Sequence, residues 1–244
     1  MIGTLNEGLL HAQLKDWYRR PGDEVEQPLQ GFVIDLVRGD TLIEIETSGL
    51  ARVRRKLDVL LEAHRVRVVV PIALTRRIVR LSSHGEVLTA RRSPRHGRVE
   101  DVFARLVSLP ALLAHERFEL ELLLTHQDEL RRYEPGRAWR RRGWVVAGRS
   151  LISVERTLRL TCPADAVRLL PLLPDTFDTA ELAEAAGCTR QLAQQMTYCL
   201  RAMGVLDIDG RRGRAVLYRR AAATGAARSV SQRGDVRARE VLSG

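Results

Sequence analysis

The sequence predicts an α/β fold in which a mixed sheet is flanked by helices, followed by a β-rich extension and a small helix-and-strand module at the C-terminus. Three observations carry this. Alternating, β-branched flanks surround Arg38-Gly39-Asp40, which reads as a tight hairpin. Apolar residues recur at helical spacing on both sides of it: Leu5, Leu9, Leu10, Leu14 and Trp17 before, Leu50, Val53, Leu57, Leu60, Leu61 and His64 after. Val66 to Ile72 is then a short apolar run of the kind that packs inside a sheet.

The first helix spans residues 4–18, with Glu7, His11 and Lys15 stacked on one face. Pro21-Gly22-Asp23 ends it, and an edge strand covers 24–29. The hairpin follows, 31–37 and 41–47. A two-residue Gly39-Asp40 loop sets Arg38 against Thr41 and Asp35 opposite Glu44, with Cβ atoms ~5 Å apart. Glu46 lies on that face too, about 7 Å along the strand. The other face is Phe32, Ile34, Leu36, Ile43 and Ile45, a core face. An amphipathic helix at 50–64 and the strand at 66–72 complete the unit.

Residues 77–81 and 86–91 form another hairpin, turning at His84-Gly85, and a basic loop runs from Arg91 to Arg98. A helix at 99–113 bends at Pro110; 118–125 is strand, 127–133 a short helix, 150–160 strand and 163–170 helix. Arg140 to Arg142, bracketed by Trp139 and Trp144, is a second basic stretch. Leu170 to Pro174 marks a boundary. Beyond it, Asp178-Thr179-Ala180-Glu181 has capping-box spacing, and Thr189 caps a second helix to Met203. Two strands, 205–208 and 215–218, enclose an arginine-rich turn, and 221–244 reads as a disordered tail. The division is therefore 1–75 core, 76–173 extension packed on it, 174–220 terminal module, 221–244 tail.

With 45% apolar and 29% charged residues in 244, the chain fits a soluble globular protein. No apolar run approaches the ~20 residues of a membrane helix, and the N-terminus lacks the layout of a signal peptide. Cys162, Cys188 and Cys199 are far apart, as expected of reduced thiols in a cytoplasmic protein. No zinc spacing, glycine-rich phosphate loop or Ser-His-Asp motif occurs. A net charge of +10 makes an acidic polymer a natural partner. Lys15 and Lys56 are the only lysines, an arginine bias that a GC-rich genome also produces.

Asp35, Glu44 and Glu46 would repel one another, so a cation is expected among them. Oxygen-only ligation suits Mg²⁺ or Mn²⁺, which can activate water in phosphodiester hydrolysis. The alternative is that the two glutamates are simply the solvated side of a hairpin. The helix-strand-strand-strand-helix-strand order, with an acid at the end of one strand and another in the next, resembles the PD-(D/E)xK nuclease superfamily over residues 4 to 74. That resemblance implies a restriction-endonuclease-like sheet, with Asp35 and Glu44 as metal ligands and Glu7 as an assisting acid at the metal. It also implies lysine where this chain has Glu46, which would then be a ligand or orient water. Lys56 is the candidate for a displaced catalytic lysine, with Lys15 second.

Residues 176–219 look like a winged helix-turn-helix module. This likeness implies that Thr189, Arg190, Gln191, Gln194 and Gln195 reach groove edges or phosphates from the recognition helix. Arg211, Arg212 and Arg214 on the wing would contact the DNA backbone. A winged helix can equally serve protein contact or dimerisation, so a homodimer stays open. The two basic loops could track phosphates and Trp139 or Trp144 stack on a base, although tryptophans beside arginines are often core anchors.

As a whole the chain is similar to a prokaryotic family joining a nuclease-like domain to a winged helix. The matching stretches are Asn6-Glu7 with Leu10-His11, Gly31 to Asp35, Leu42 to Thr47, Arg55-Lys56-Leu57 and Arg141 to Trp144. The function this implies is metal-dependent cleavage of DNA. Its rivals are a DNA-binding regulator whose nuclease-like domain is inactive, and a protein-interaction scaffold.

Overall fold

The computed structural model of the chain describes residues 8–221; Glu7 and the tail beyond 221 lie outside the described residues. The elements run α1 (Leu9–Tyr18), β1 (Glu24–Leu29), β2 (Phe32–Arg38), β3 (Thr41–Ile45), α2 (Arg54–Leu60), β4 (Arg65–Leu81), β5 (Val87–Arg92), α3 (Val102–Leu106), β6 (Phe118–Tyr133) and β7 (Trp144–Leu160). The C-terminal part adds α4 (Pro163–Val167), β8 (Thr176–Phe177), α5 (Thr179–Ala185), α6 (Arg190–Ala202), β9 (Leu206–Arg212) and β10 (Ala215–Arg220). The architecture is mixed α/β. A seven-stranded sheet has the order β1-β2-β3-β4-β6-β7 with β5 also on β4, and a three-stranded sheet has the order β8-β10-β9. Strands β3, β4 and β6 are parallel; the other neighbours are antiparallel. No helix among the described residues is long and apolar enough to cross a membrane.

The boundary expected at residue 75 falls inside β4, and the strands of the extension share one sheet with the core. The apolar start of β4, buried on both faces, gives way to half-buried residues that include several arginines, so a single strand reads as two elements. Residues 127–133, expected as a helix, continue β6. They are held there by pairing with β4 on one side and β7 on the other, which outweighs local preference.

Pro71 sets where the sheet divides. The last rung between β3 and β4 is the Glu46 amide donating to Val69 O at 2.8 Å. In a parallel ladder the next rung needs the N–H of residue 71, and proline has none. The same edge of β4 is taken up again by β5 at Arg77. Across the gap lies the basic loop, pinned by the Ser93 amide on Arg76 O at 2.7 Å and the Gly97 amide on Ala73 O at 2.9 Å. A Cβ at Gly97 would stand 2.4 Å from Ala73 O, so only glycine permits this approach.

One face of the sheet packs α1 through Leu10, Leu14 and Tyr18 on Leu36, Ile43, Ile45 and Val69. The other face buries Val68 and Val70 under Leu57, Leu60, Phe103 and Leu106. That second core continues without a break into Phe177, Leu182, Met196 and Leu200 of the C-terminal module. The module beyond Leu170 to Pro174 thus shares its core with the sheet. The expected helix at 99–113 is reduced to α3 between two short turns, yet α3 is what the module packs on.

Phe103→Ala removes a fully buried ring from this shared core and is expected to cost about 3–5 kcal/mol. Denaturant unfolding should show one transition, with coincident midpoints for tryptophan fluorescence and far-ultraviolet circular dichroism. Two separated transitions would contradict a common core.

Candidate active site

The hairpin turn places the acids. Arg38 pairs with Thr41, Val37 with Leu42 and Leu36 with Ile43, and Gly39 takes the positive φ (58°) that the two-residue turn requires. These three pairs keep the expected register, but the ladder ends with them and does not include the expected Asp35–Glu44 pair. The alternation nevertheless breaks at Asp35. Ile34 packs in the α2 and α3 core, whereas Leu36, Ile43 and Ile45 pack under α1. The single core face expected from the sequence therefore does not form. The reason is local: Asp35 Oδ2 accepts the Ile45 amide at 2.8 Å, so a side chain replaces the backbone rung there. His11, from α1, donates to the same oxygen at 3.1 Å.

Lys56 reaches the acids from α2. Its Nζ donates to Val33 O at 2.5 Å and stands 2.5 Å from Glu44 Oε1. The latter contact is a close ion pair on a buried carboxylate. Lysine is thus the cation nearest Glu44, where the sequence led us to expect a metal. Burial, then the charge of Asp35, push the Glu44 carboxyl up to about 7, against the opposing pull of Lys56. Burial also pushes Asp35 up. The hydrogen bond and charge of His11, the Ile45 amide and Lys56 outweigh that effect and hold Asp35 below the usual carboxylate range. Lys15, the weaker candidate, pairs with Glu26 at 2.7 Å.

Glu46 is used differently from expectation. Its Oε1 accepts the amides of Ser48 and of Gly49 (the latter at 2.7 Å), and so caps the turn leading to α2. The three carboxylates do not converge: among the described residues no group of three or more His, Cys, Asp or Glu is arranged to hold a metal ion. Mg²⁺ needs only one or two carboxylates, with water and a substrate phosphate completing its shell. Asp35 and Glu44 supply that minimum and no more, and Lys56 already occupies one oxygen of Glu44.

In the C-terminal module, Thr189 Oγ1 accepts the Leu192 amide at 3.2 Å and caps α6. Arg190, Gln191 and Gln194 are exposed and Gln195 half-buried, while Leu192, Ala193 and Met196 face the core. Tyr198, which the sequence reading passed over, extends the exposed face and is 52% accessible. Arg211 and Arg214 are exposed at the β9–β10 turn. Arg212 is instead braced against Glu181 at 2.9 Å, so it ties the turn to α5. Trp144 is an anchor, stacked under Arg80 at 4.6 Å and edge-on to Tyr133. Trp139 is 80% exposed, with the Arg140 guanidinium over its ring.

The raised Glu44 carboxyl has a sign that can be tested. Its folded-state value lies above that of the unfolded chain, so its contribution is complete below about pH 4.5. It is lost as pH rises through about 7, where a buried anion must form. Glu44→Gln should therefore gain in melting temperature relative to the parent as pH goes from 5 to 8. A difference that stays constant across this range would contradict the placement of Glu44.

Comparison with known proteins adds the following. A family model described as "Domain of unknown function (DUF8091)" matches residues 8–161. An uncharacterized protein of Treponema pallidum (strain Nichols) is 30% identical over 221 residues, 90% of this chain and 87% of the relative. That extent necessarily takes in most of the C-terminal module as well. No solved structure matches. A match over well more than half the chain establishes that the protein belongs to the DUF8091 family.

Proposed function

We propose that the protein binds DNA and cleaves its phosphodiester backbone with Mg²⁺ or Mn²⁺, through a PD-(D/E)xK-like domain assisted by a winged helix. The observation that carries this reading is the pair of half-buried Asp35 and buried Glu44, set on β2 and β3 with Lys56 against Glu44. The order α1-β1-β2-β3-α2-β4, with three antiparallel strands and then β4 parallel to β3, supports the nuclease-like reading. The order of the C-terminal module, a short strand, two helices and a β-ribbon, supports the winged helix.

Each residue then has a role that its surroundings favour. Asp35, held ionised by His11 and the Ile45 amide, is a permanent anionic ligand. Glu44 becomes a ligand when it loses its proton. A bound divalent ion would neutralise the charge developing on the scissile phosphate. Lys56 keeps an ammonium beside the pair, where it would orient the attacking water or bind a phosphate oxygen. Exposed Arg190, Gln191, Gln194 and Tyr198 on α6, with Arg211 and Arg214 on the ribbon, would hold the duplex.

A second reading is favoured by the cap that occupies Glu46 and by the seat of Lys56 on Glu44. In it the domain binds DNA without cutting, and the protein acts as a regulator.

Plasmid nicking in Mg²⁺ or Mn²⁺ separates the two. We expect cleavage that EDTA abolishes, that falls at least about 100-fold in Asp35→Ala, and that falls about 10- to 100-fold in Lys56→Met. Binding at low salt should persist in both variants and weaken steeply as salt rises. Tight binding with no cleavage of single-stranded, duplex or branched DNA would establish the second reading. No binding at low salt would contradict both.

A further inference from the structure

Beyond the end of β3, three arginines from distant parts of the chain line one cleft: Arg76 of β4, Arg105 of α3 and Arg149 of β7. Thr47, Pro71 and Gln127 also line it, and the cleft measures about 20 Å³, room for a single oxygen-sized group. Two of its guanidinium nitrogens, Arg76 Nε and Arg105 Nη1, are buried with no hydrogen-bonding partner. Burial, then the charge of Arg149 in the first case and of Arg149 and Arg76 in the second, oppose protonation of Arg76 and Arg105. Arginine stays charged regardless, so the molecule holds mutually repelling cations with unfilled donors.

The carboxylates nearby do not balance this charge. Glu129 is 3.4 Å from Arg76, but it is shared with Arg131 at 2.5 Å. Glu46 and Asp101 act on Arg105 from a distance, and both are already accepting backbone amides, Gly49 and Arg98 respectively. Arg105 itself donates to Pro71 O at 3.3 Å through its other terminal nitrogen. Arg95, on the loop that Gly97 pins to β4, adds a further positive charge to Arg76. A water would fill the orphaned donors without offsetting the charge, whereas an oxyanion does both.

We propose that the cleft is a phosphate-binding site, taking one oxygen of a phosphate group between Arg76, Arg105 and Arg149. It is too small for a base, so it reads phosphate and no sequence. Free phosphate, a phosphorylated strand end and an internal backbone phosphate share this chemistry. The site stands apart from cleavage, because it uses none of Asp35, Glu44 or Lys56. Its position beside Thr47, two residues past the end of β3, would let it hold a strand whose backbone runs past the acid pair.

Thermal denaturation in EDTA, with ionic strength held constant by chloride, tests it with inorganic phosphate as the probe. We expect a saturable rise in melting temperature for the parent, with the apparent Kd at least about tenfold weaker in Arg105→Met and in Arg149→Gln. Asp35→Ala should keep the rise, so loss of cleavage and loss of this site are read separately. An oligonucleotide with a phosphorylated end binding at least about fivefold tighter than its hydroxyl counterpart assigns the site to strand ends; equal binding, weakened in Arg149→Gln, assigns it to internal phosphates. A rise that chloride reproduces, or that survives in both arginine variants, overturns the proposal.

Discussion

A single missing donor organises the centre of this molecule. Pro71 cannot extend the β3–β4 ladder, so β3 ends after Glu46 while β4 runs on to Leu81. The edge of β4 that β3 leaves is not reclaimed until β5 joins at Arg77. Both charge clusters of the large sheet lie beside this interruption. The acid pair sits on the β2–β3 side, the basic loop crosses the gap, and the arginine cleft opens beside it. An unbroken ladder would have closed the space with backbone.

The two charge clusters that flank the gap are compensated to different degrees. Asp35 and Glu44 have His11 and Lys56 for company, and their environments push the two carboxyls in opposite directions. Such a split is a usual sign of a site prepared for proton or metal chemistry. The arginines are left with unfilled donors and too little negative charge. The proposed cation site and the proposed oxyanion site thus lie on either side of the same gap and use different residues.

How far this could be read from the sequence depends on the range of the interactions. The hairpin was legible because a two-residue loop leaves one register, and Gly39 alone makes that turn comfortable. The caps at Asp178 and Thr189 were legible because capping is local, and both bonds form. The reversal at Asp35 was not, because it depends on a carboxylate taking the Ile45 amide that a carbonyl would ordinarily take. Glu46 was read as a third acid on the shared face, although Ser48-Gly49 just after it already signalled a turn needing an acceptor. The stretch 127–133 has no clear strand alternation of its own, and pairing with β4 and β7 on its two sides makes it a strand. Arg76, Arg105 and Arg149 belong to three elements far apart in sequence, so no local pattern could have joined them.

The central claim is that Asp35 and Glu44 together receive a divalent cation. Calorimetric titration with Mn²⁺ near pH 7, in two buffers of different ionisation enthalpy, tests it most directly. Because burial pushes the Glu44 carboxyl up to about 7, binding at this pH should release protons held by Glu44. The released proton should vanish in Glu44→Gln, and binding itself in Asp35→Ala. Binding of equal strength in both variants, or none in the parent chain, would contradict it.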